Sequence, residues 1–545
     1  MSFTIKYNDQ EKVFDKRIKV IDLLDKNNRE VICCRVNNRL KELTYAIEED
    51  AKVEFLTISD EDAAKIYEST VRFIAVMAFA RLYPNLRIRL TRNVSRSTFI
   101  QILNEDVFAT TKMRDEIEAE MKRIIAADFP LNRYVFDKKS AADLYKKYGL
   151  EDKLEALEYR PEKNVHLYEC DGYYNYLFSR MVPSTGYINS FKLNLYVPGM
   201  ILQTPRAECK GQIPTFVDAP TYGKTLKQAH EWAKLVNADT VVKINEHIHK
   251  DGVIDFIQLC EARHNRMLTE LGEIIEKNDD IKIICIAGPS SSGKTTFANR
   301  LRIELMARGL KPIRISMDDY YLTKDKAPKD KDGKPDLESI EALDIELFNK
   351  NMLDLINGEE VQLPKFDFIT GKRVEGRKLK ISPKEPIIIE GIHALNDRMT
   401  NLIPRHQKFK IFIAPQAQIN LDNTYPISTV DLRLIRRLVR DYKFRGSSAE
   451  ETLSMWPSVR RGEFKWIYET QEGADFVYNS MLPYELCVMK KYAQPLLEAV
   501  EAESVYFPVA ERLLRMLKYF DDMPDEWVPC NSLMREFIGG SCYAD

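Results

Sequence analysis

The stretch GPSSSGKTT at residues 288–296 constrains the fold of this chain more than any other part of it. It fits the phosphate-loop pattern G-x-x-x-x-G-K-[ST], with an apolar run at 281–287 before it and an amphipathic run at 296–305 after it. This order predicts a buried strand, a tight loop and a helix. The backbone N–H groups of such a loop point at phosphate oxygens at the positive end of the helix, which predicts a nucleoside triphosphate site.

The side chains of this phosphate loop have distinct expected roles. Lys294 can reach the β- and γ-phosphates, and the hydroxyl of Thr295 can bind Mg²⁺. A glycine-containing turn with a chance lysine is the alternative, but it does not account for the strand and the helix on either side. The predicted nucleotide-binding residues of the loop are Gly288, Ser290, Ser291, Ser292, Gly293, Lys294, Thr295 and Thr296.

Length and composition bound the class of protein. A chain of 545 residues is too long for one ordinary hydrophobic core, so several domains are expected. The formal net charge of −2 gives no whole-chain electrostatic argument for binding nucleic acid or membranes. The cysteines are scattered and form no C-x-x-C pair, which indicates reduced thiols. Because no long apolar run and no signal-peptide pattern occur, we expect a soluble cytoplasmic protein.

The pattern of strands, helices and turns divides the chain into five segments. Strand-like runs around the Asn37-Asn38 turn characterise the first segment, and a long helical pattern opens the second. The predicted segments are a β-rich domain at 1–57, an α+β domain at 58–225, a helical connector at 226–279, an α/β domain at 280–500 and a C-terminal tail at 501–545, in which no motif is recognisable.

Two further apolar strands downstream of the phosphate loop lead into carboxylates. Asp318 follows the strand at 313–317, and Glu390 ends the strand at 386–390. In an open α/β sheet the carboxyl ends of the strands form the ligand-binding edge. At that edge Asp318 can accept the proton of an attacking hydroxyl or hold Mg²⁺ through water, and Glu390 suits the metal or its water shell. A helix cap for Asp318 and an exposed strand end for Glu390 are the alternatives.

A predicted helix after these strands carries a row of arginines. Arg433, Arg436 and Arg440 lie at positions i, i+3 and i+7 and therefore share one face, with an apolar stripe opposite. Such a face suits a lid that closes on phosphates and neutralises charge in the transition state. The alternative is a charged helix surface in contact with solvent.

The segment from about 281 to 480 resembles the uridine kinase family, whose relatives include phosphoribulokinase and bacterial pantothenate kinase. The stretches that carry the resemblance occur in the family's order: GPSSSGKTT, SMDDYY, LPKFDF, IIIEGIHAL and LRLIRRLVRDYKFRG. The resemblance implies a P-loop kinase fold, which is α/β with a parallel sheet and helices on both faces. It also implies Mg²⁺ as cofactor, ATP or GTP as phosphoryl donor, and a nucleoside 5′-hydroxyl as acceptor.

The resemblance also implies roles for individual residues. The implied catalytic residues are Asp318 as general base, Lys294 and Arg436. The implied metal-binding residues are Thr295, Asp318 and Glu390. The implied substrate-binding residues are Tyr321, Glu338, Phe366, Phe368, Arg433 and Arg445. Among these, the aromatic residues form the base pocket, and Arg445 belongs with Arg436 and Arg440 to the phosphate-clamping lid, which makes Arg440 a further implied nucleotide-binding residue.

Two positions depart from the family's pattern. Where the family has an aspartate for the ribose hydroxyls, this chain has Glu338, which can still accept hydroxyl protons with one more methylene to place. Where pyrimidine-specific members have a histidine that reads the base edge, this chain has Gly371. Loss of a hydrogen-bonding side chain at a base edge can change selectivity by orders of magnitude. The kinase prediction therefore does not extend to uridine as the substrate.

The front half, from residue 30 to about 200, resembles the N-terminal region of threonyl-tRNA synthetase. Residues 35–56 are similar to its small TGS domain, and later stretches are similar to its editing domain. The two pairs of reactive or metal-binding residues that editing needs are replaced by Glu68 and Arg72, and by Leu177 and Met181. Editing hydrolysis is therefore not expected. We expect a scaffold with a structural or regulatory role, for which RNA binding and assembly into a homo-oligomer stay open.

These observations predict an ATP- or GTP-dependent, Mg²⁺-dependent nucleoside kinase with a degenerate synthetase-like front half. Two alternatives stay open. An RNA-associated regulatory ATPase would need no acceptor site, whereas Asp318 and the aromatic residues favour one. A kinase for a non-nucleoside small alcohol would keep the same catalytic residues and differ in the acceptor pocket.

Overall fold

The computed structural model describes most of the chain. The described ranges are 2–25, 27–92, 94–176, 178–323, 325–329, 333, 335–367, 370–382, 385–416 and 419–543. Leu177 and Phe368, for which the sequence makes predictions, lie outside these ranges. Within the described ranges, no helix combines the length and the apolar character that crossing a bilayer requires.

Short strands build the N-terminal sheet. The Asn37-Asn38 turn joins two of them, with φ values of 46° and 60° that asparagine tolerates better than most residues. The strands of this region are β1 (Phe3–Tyr7), β2 (Gln10–Phe14), β3 (Ile18–Lys19), β4 (Val31–Val36), β5 (Arg39–Lys41), β6 (Ala46–Ile47) and β7 (Ala51–Thr57). Five of them form a sheet in the order β2-β1-β7-β4-β5, in which β1 and β7 are parallel. The predicted β-rich character of this region is thus present.

Helices and two antiparallel sheets follow the N-terminal sheet. The elements are α1 (Glu61–Leu82), β8 (Ile88–Arg92), β9 (Thr98–Ile102), α2 (Thr111–Ala126), β10 (Asn132–Asp137), α3 (Lys138–Lys147), α4 (Glu151–Glu158), β11 (Asn164–Cys170), β12 (Tyr173–Asn175), β13 (Lys192–Tyr196) and β14 (Gly199–Gln203). One sheet has the order β13-β14-β9-β8, and the other has the order β10-β11-β12. The first sheet shares a hydrophobic core with α1, α2 and the N-terminal sheet.

The second half of the chain is built on a parallel sheet of five strands in the order β16-β19-β15-β20-β23. Its elements are α5 (Pro220–Leu235), α6 (Val241–Glu246), α7 (Val253–Glu276), β15 (Ile283–Ala287), α8 (Lys294–Ala307), β16 (Ile313–Ser316), α9 (Ile345–Ile356), β17 (Val361–Asp367), β18 (Lys372–Leu379), β19 (Ile387–Glu390), β20 (Lys408–Ala414), β21 (Asn420–Asp422), β22 (Tyr425–Pro426), α10 (Thr429–Arg445), α11 (Ala449–Gly462), β23 (Phe476–Asn479), α12 (Glu485–Glu498), α13 (Phe507–Leu517) and α14 (Arg535–Ile538).

Both faces of the parallel sheet are covered. Ile284 and Ile286 of β15 belong to a hydrophobic core that includes residues of α7, α8, α10 and α12. The alternating residues Ile283 and Cys285 belong to a different core, which includes residues of α9 and β17. Such strands read as continuous apolar runs because neither face meets water. The predicted fold class, α/β with a parallel sheet and helices on both faces behind a β-rich and an α+β region, is confirmed.

Packing crosses the predicted boundaries of the connector and of the C-terminal tail. Phe256 and Leu271 of α7 are buried in the same hydrophobic core as the helix α8 that follows the phosphate loop. Leu533 and Phe537 of the tail are buried in this core as well. The segment 226–279 is mostly helical, as expected, and it is also part of the core. The five segment boundaries themselves stay predictions.

Buried polar contacts join the front half to the second half. Lys153 of α4 and Asp422 of β21 form an ion pair of 2.8 Å, with 2% and 4% of their side chains exposed. Arg89 of β8 pairs with Asp239 at 2.6 Å and donates to the side chain of Asn423 at 2.8 Å. A buried charge is tolerated only with its partner in place. Each half therefore depends on charges that the other half supplies.

We expect Lys153→Met to destabilise the folded chain by about 3 kcal/mol, because it leaves the buried Asp422 carboxylate without its cation. Lys147→Met, at an exposed position of α3, is the control and should change stability by less than about 0.5 kcal/mol. Urea unfolding followed by circular dichroism measures both variants. A Lys153→Met protein as stable as its control would contradict this role of the ion pair.

Candidate active site

Three chain segments meet at the carboxyl edge of the parallel sheet. The phosphate loop follows β15, Asp318 comes two residues after the end of β16, and Glu390 is the last residue of β19. Because β19 lies between the other two strands, Glu390 is in register with Ile286 of β15 and with Ser316 of β16. The amide of Gly391 also donates to the Ile286 carbonyl at 3.1 Å. The sequence predicts the phosphate loop, Asp318 and Glu390 from different motifs. In the structure they are neighbours.

Two glycines of the phosphate loop occupy positions that a larger residue does not fit. A Cβ atom on Gly288 would lie 1.9 Å from the carbonyl oxygen of Ile413 in the neighbouring strand β20. Gly293 has a φ of 89°, and a Cβ atom there would lie 2.4 Å from a methyl carbon of Leu533. The loop is therefore in close contact with the sheet at one point and with the C-terminal segment at another.

Polar groups of the phosphate loop fit a bound polyphosphate. The hydroxyl groups of Ser291 and Ser292 are buried and have no hydrogen-bond partner among the described residues. The ammonium group of Lys294 donates to the carbonyl oxygens of Gly288 and Pro289 at 3.0 and 3.2 Å. A buried hydroxyl without a partner is costly unless a ligand satisfies it. Hydroxyl, amide and ammonium donors together suit phosphate oxygens.

Two carboxylates and one ammonium group are crowded beside the loop. Burial, together with the charge of Asp318, raises the pKa of Glu390 to about 7. Burial lowers the pKa of Lys294, while the charges of Glu390 and Asp318 oppose that shift. Carboxylate and hydroxyl oxygens are ligands that Mg²⁺ prefers, and a divalent cation stabilises carboxylates in their ionised form. Asp318 and Glu390 offer such carboxylates here, and the metal-binding roles of Thr295, Asp318 and Glu390 stay predictions.

Aromatic side chains predicted to bind the acceptor lie close to Asp318. The rings of Tyr321 and Phe366 are buried, with centroids 5.7 Å apart and planes at 59°. The Tyr321 hydroxyl donates to the carbonyl of Leu337 at 3.0 Å. Burial and the charge of Asp318 raise the pKa of Tyr321. The two rings therefore pack together beside the turn that carries Asp318, and their place in an acceptor pocket stays a prediction.

Glu338, the predicted partner of the acceptor hydroxyls, lies in the same region. It packs against Gly462 at the end of α11, where an added Cβ atom would lie 2.5 Å from the Cβ of Glu338. Burial raises the pKa of Glu338 to about 7, while the charge of Arg437 lowers it and the charge of Glu463 raises it. The charge of Asp318 also raises this pKa, which shows that the two carboxylates are within electrostatic reach.

Gly371 lies in the turn between β17 and β18. It has a φ of 66°, and its amide donates to the carbonyl of Asp367 at 2.7 Å. Residues with a Cβ atom rarely adopt this backbone conformation, so glycine suits the turn. The predicted place of Phe368 in the base pocket stays a prediction, because this residue lies outside the described ranges.

Two of the arginines predicted to bind substrate or phosphate are paired inside the protein. Arg433 forms a buried ion pair with Glu463, and the fully buried Arg436 pairs with Glu485. Both also donate to backbone carbonyls of the phosphate loop, at 3.1 and 3.3 Å. In this arrangement both side chains support the loop itself, and their predicted contacts with substrate and phosphate stay predictions. Helix α10 packs against α12 and α14.

Two arginines of the last turns of α10, Arg440 and Arg445, lie near Asp318. Burial raises the pKa of Asp318, and the charges of Lys294, Arg445 and Arg440 oppose this shift. Arg440 and Arg445 also lie 2.7 and 3.6 Å from the buried carboxylate of Asp441. Their predicted contact with phosphates stays a prediction, and their place near Asp318 is compatible with it.

Two residues at the phosphate loop were not among the sequence-based candidates. Arg437 donates to the Ser290 hydroxyl at 2.9 Å. Glu536 accepts a hydrogen bond from the amide of Thr296 at 3.0 Å. Arg437 belongs to the arginine run, so its spacing was an available signal. Glu536 lies 240 residues from Thr296, and no local pattern connects them.

In the front half, the positions that correspond to the first editing pair form a buried network. Arg72 pairs with Glu68 on the same helix, and Arg206 donates to the same carboxylate at 3.0 Å. Met181 is buried. Among the described residues, no group of three or more His, Cys, Asp and Glu side chains has the arrangement of a metal site. The network joins two guanidinium groups to one buried carboxylate in a packed interior.

The part of the chain that builds the phosphate site matches a known family. A model of the Phosphoribulokinase / Uridine kinase family matches residues 283–485. The uridine kinase of Macrococcus caseolyticus is 32% identical over 197 residues, which are 36% of this chain and 86% of that protein. The chain belongs to this family. Among solved structures, D-glycerate 3-kinase from Cryptococcus neoformans matches 40% of this chain and 88% of its own, with a TM-score of 0.25 and 18% identity.

The N-terminal region of this phosphoribulokinase/uridine kinase family member is similar to a different protein. Threonine–tRNA ligase of Caldanaerobacter subterraneus is 31% identical over 185 residues, which are 33% of this chain. The chain spans only 29% of the length of that ligase. The predicted resemblance of the front half to threonyl-tRNA synthetase is thus confirmed.

We expect Arg436→Met to destabilise this family member by about 3 kcal/mol or more, because it leaves Glu485 buried without its partner. Arg440→Met should change stability by less than about 1 kcal/mol, since Asp441 keeps Arg437 and Arg445 as partners. Urea unfolding separates the two cases. An Arg436→Met protein with wild-type stability would contradict the supporting role of this arginine.

Proposed function

We propose that the chain transfers the γ-phosphoryl group of ATP or GTP to a hydroxyl group of a small molecule, with a nucleoside 5′-hydroxyl as the first candidate. The observation that carries this proposal is the meeting of the phosphate loop, Asp318 and Glu390 at one edge of the sheet. Phosphoryl transfer needs a triphosphate site, a metal position and a residue that acts on the acceptor hydroxyl. Membership in the phosphoribulokinase/uridine kinase family supports the proposal.

Asp318 is the residue proposed to act on the acceptor. Its carboxylate can accept the proton of the acceptor hydroxyl as that oxygen attacks the γ-phosphorus. Burial raises the pKa of Asp318, which makes its carboxylate a stronger base than that of an exposed aspartate. Lys294 and Arg445 oppose the shift, so that the ionised form needed for proton transfer stays accessible.

Positive groups around the loop are proposed to stabilise the charge that moves with the phosphoryl group. Lys294 comes from the loop, and Arg440 and Arg445 come from the end of α10. Fixed charges in a water-poor site stabilise a transition state strongly because they need little reorganisation. When Mg²⁺ is bound by Thr295, Asp318 and Glu390, it supplies further charge neutralisation at the phosphates. Arg433 and Arg436 contribute indirectly, by holding the loop in shape.

Asp318→Asn should lower turnover at least about a hundred-fold, because the amide cannot accept the hydroxyl proton. Nucleotide affinity should change by less than about three-fold, since the loop donors remain. Asp319→Asn is the matched control, because its carboxylate accepts from the Phe366 amide at 3.3 Å and serves the neighbouring strand. ADP release in a coupled assay and a nucleotide titration measure the two effects. Turnover near the wild-type rate for Asp318→Asn would refute the mechanism.

A nucleoside is proposed as the acceptor because of the side chains near Asp318. Tyr321 and Phe366 offer apolar ring surface to a planar base. Glu338 can accept hydrogen bonds from sugar hydroxyls. Gly371 adds no side chain that would distinguish one base edge from another. Broad base selectivity is therefore expected, and a non-nucleoside alcohol is the second candidate.

We expect nucleosides to release ADP faster than other alcohols in a panel assay, with differences between bases within about a hundred-fold because no side chain at 371 reads the base. Glu338→Gln should raise the KM of the preferred nucleoside by about ten-fold and leave the KM of the nucleotide unchanged. Glu341→Gln is the control, because Glu341 is exposed and pairs with Arg398 at 2.7 Å.

The same panel separates the competing functions. Faster ADP release with a non-nucleoside alcohol would assign the acceptor to another class. ATP hydrolysis that no acceptor stimulates, together with salt-sensitive binding of tRNA, would favour the RNA-associated regulatory ATPase.

A further inference from the structure

The C-terminal segment 530–543 packs against the phosphate loop and the helix that supports it. Its apolar residues Leu533, Met534 and Phe537 are each 0% exposed. The ring of Phe537 lies 5.0 Å from the guanidinium group of Arg436, which itself donates to the loop. The middle of this segment, with Leu533, Met534 and Phe537, is thus part of the hydrophobic core.

One charged side chain of this segment reaches the nucleotide site. Glu536 accepts a hydrogen bond from the amide of Thr296 at 3.0 Å. Its charge acts on the ammonium group of Lys294, where it opposes the lowering of the pKa by burial, and on the carboxyl group of Glu390. Glu536 therefore places a third acidic group, after Asp318 and Glu390, beside the loop.

The amide that Glu536 occupies is one that a phosphate loop offers to its ligand. Thr296 lies in the first turn of α8, a helix of 14 residues, and its N–H group is among the donors at the positive end of this helix. In phosphate loops the backbone donors at this place bind the α- and β-phosphates. A carboxylate and a phosphate present the same kind of acceptor oxygen to the same N–H group. They also repel each other, and more strongly in a buried site than in water.

We propose that Glu536 is an internal competitor of the nucleotide, which occupies a phosphate position of the loop and must withdraw before a triphosphate engages all the donors. The proposal rests on the proposed function only in requiring that the loop bind a triphosphate. Because Leu533 and Phe537 anchor the segment, rotation of the Glu536 side chain is enough to free the Thr296 amide. The C-terminal segment thereby sets the nucleotide affinity below the value that the loop alone would give.

The test is a titration of the full-length protein with a fluorescent, non-hydrolysable ATP analogue and Mg²⁺. Glu536→Gln keeps the size of the side chain and removes its charge. If the docked carboxylate is present in about nine molecules of ten, this variant should bind the analogue more tightly than the wild type, by up to about ten-fold. Glu526→Gln is the matched control, because Glu526 is an exposed glutamate of the same tail, and it should bind as the wild type does. Thermal unfolding of both variants shows that they are folded.

Each possible result of the titration either supports or overturns the competitor role of Glu536. Tighter binding by Glu536→Gln alone supports the competitor role. Unchanged or weaker binding overturns it, and weaker binding would make Glu536 a constitutive part of the nucleotide site. If neither the wild type nor either variant binds the analogue, the proposed function fails first, and the competitor role fails with it.

Discussion

The parallel pairing of β19 with both β15 and β16 is the constraint on which the candidate site depends. It sets Glu390 level with the residues that lead into the phosphate loop and into Asp318. All four residues of β19 are buried, so its register is held by apolar side chains on both faces. A slip of one residue would turn every side chain of the strand to the opposite face. Hydrophobic packing within the sheet therefore fixes the positions of Glu390, Asp318 and the phosphate loop at its edge.

Buried ion pairs next to the phosphate loop hold the shape of that loop. Arg433 and Arg436 are paired with Glu463 and Glu485, and both reach carbonyls of the phosphate loop. Buried pairs add little net stability, but a missing partner is severely destabilising. Such pairs therefore restrict the loop to one arrangement. A preformed loop loses little conformational freedom on binding, which leaves more of the interaction energy for affinity and catalysis.

Local patterns in the sequence predicted the elements of the site, and distant contacts decided how some of its residues are used. The loop motif, the apolar strands and the carboxylates after them are short-range signals, because each depends on a few consecutive residues. The spacing of the arginines showed correctly that they share a helix face. It did not show what covers that face, since Glu463 and Glu485 lie on other elements. The same limit applies to Glu536, whose contact with the loop joins opposite ends of this half of the chain.

The ion pair between Lys153 and Asp422 has a consequence for how this protein relates to its shorter relatives. Asp422 ends the strand β21, and the chain passes from there through β22 into α10, the helix that grips the phosphate loop. The front half thus supplies the counter-ion for the segment that leads into α10, the helix that supports the loop. A gene fragment that encoded only the second half would leave Asp422 without its cation and without the contacts of α4 that cover β21. A protein that exchanged one half alone would have to replace this charge pair at the junction.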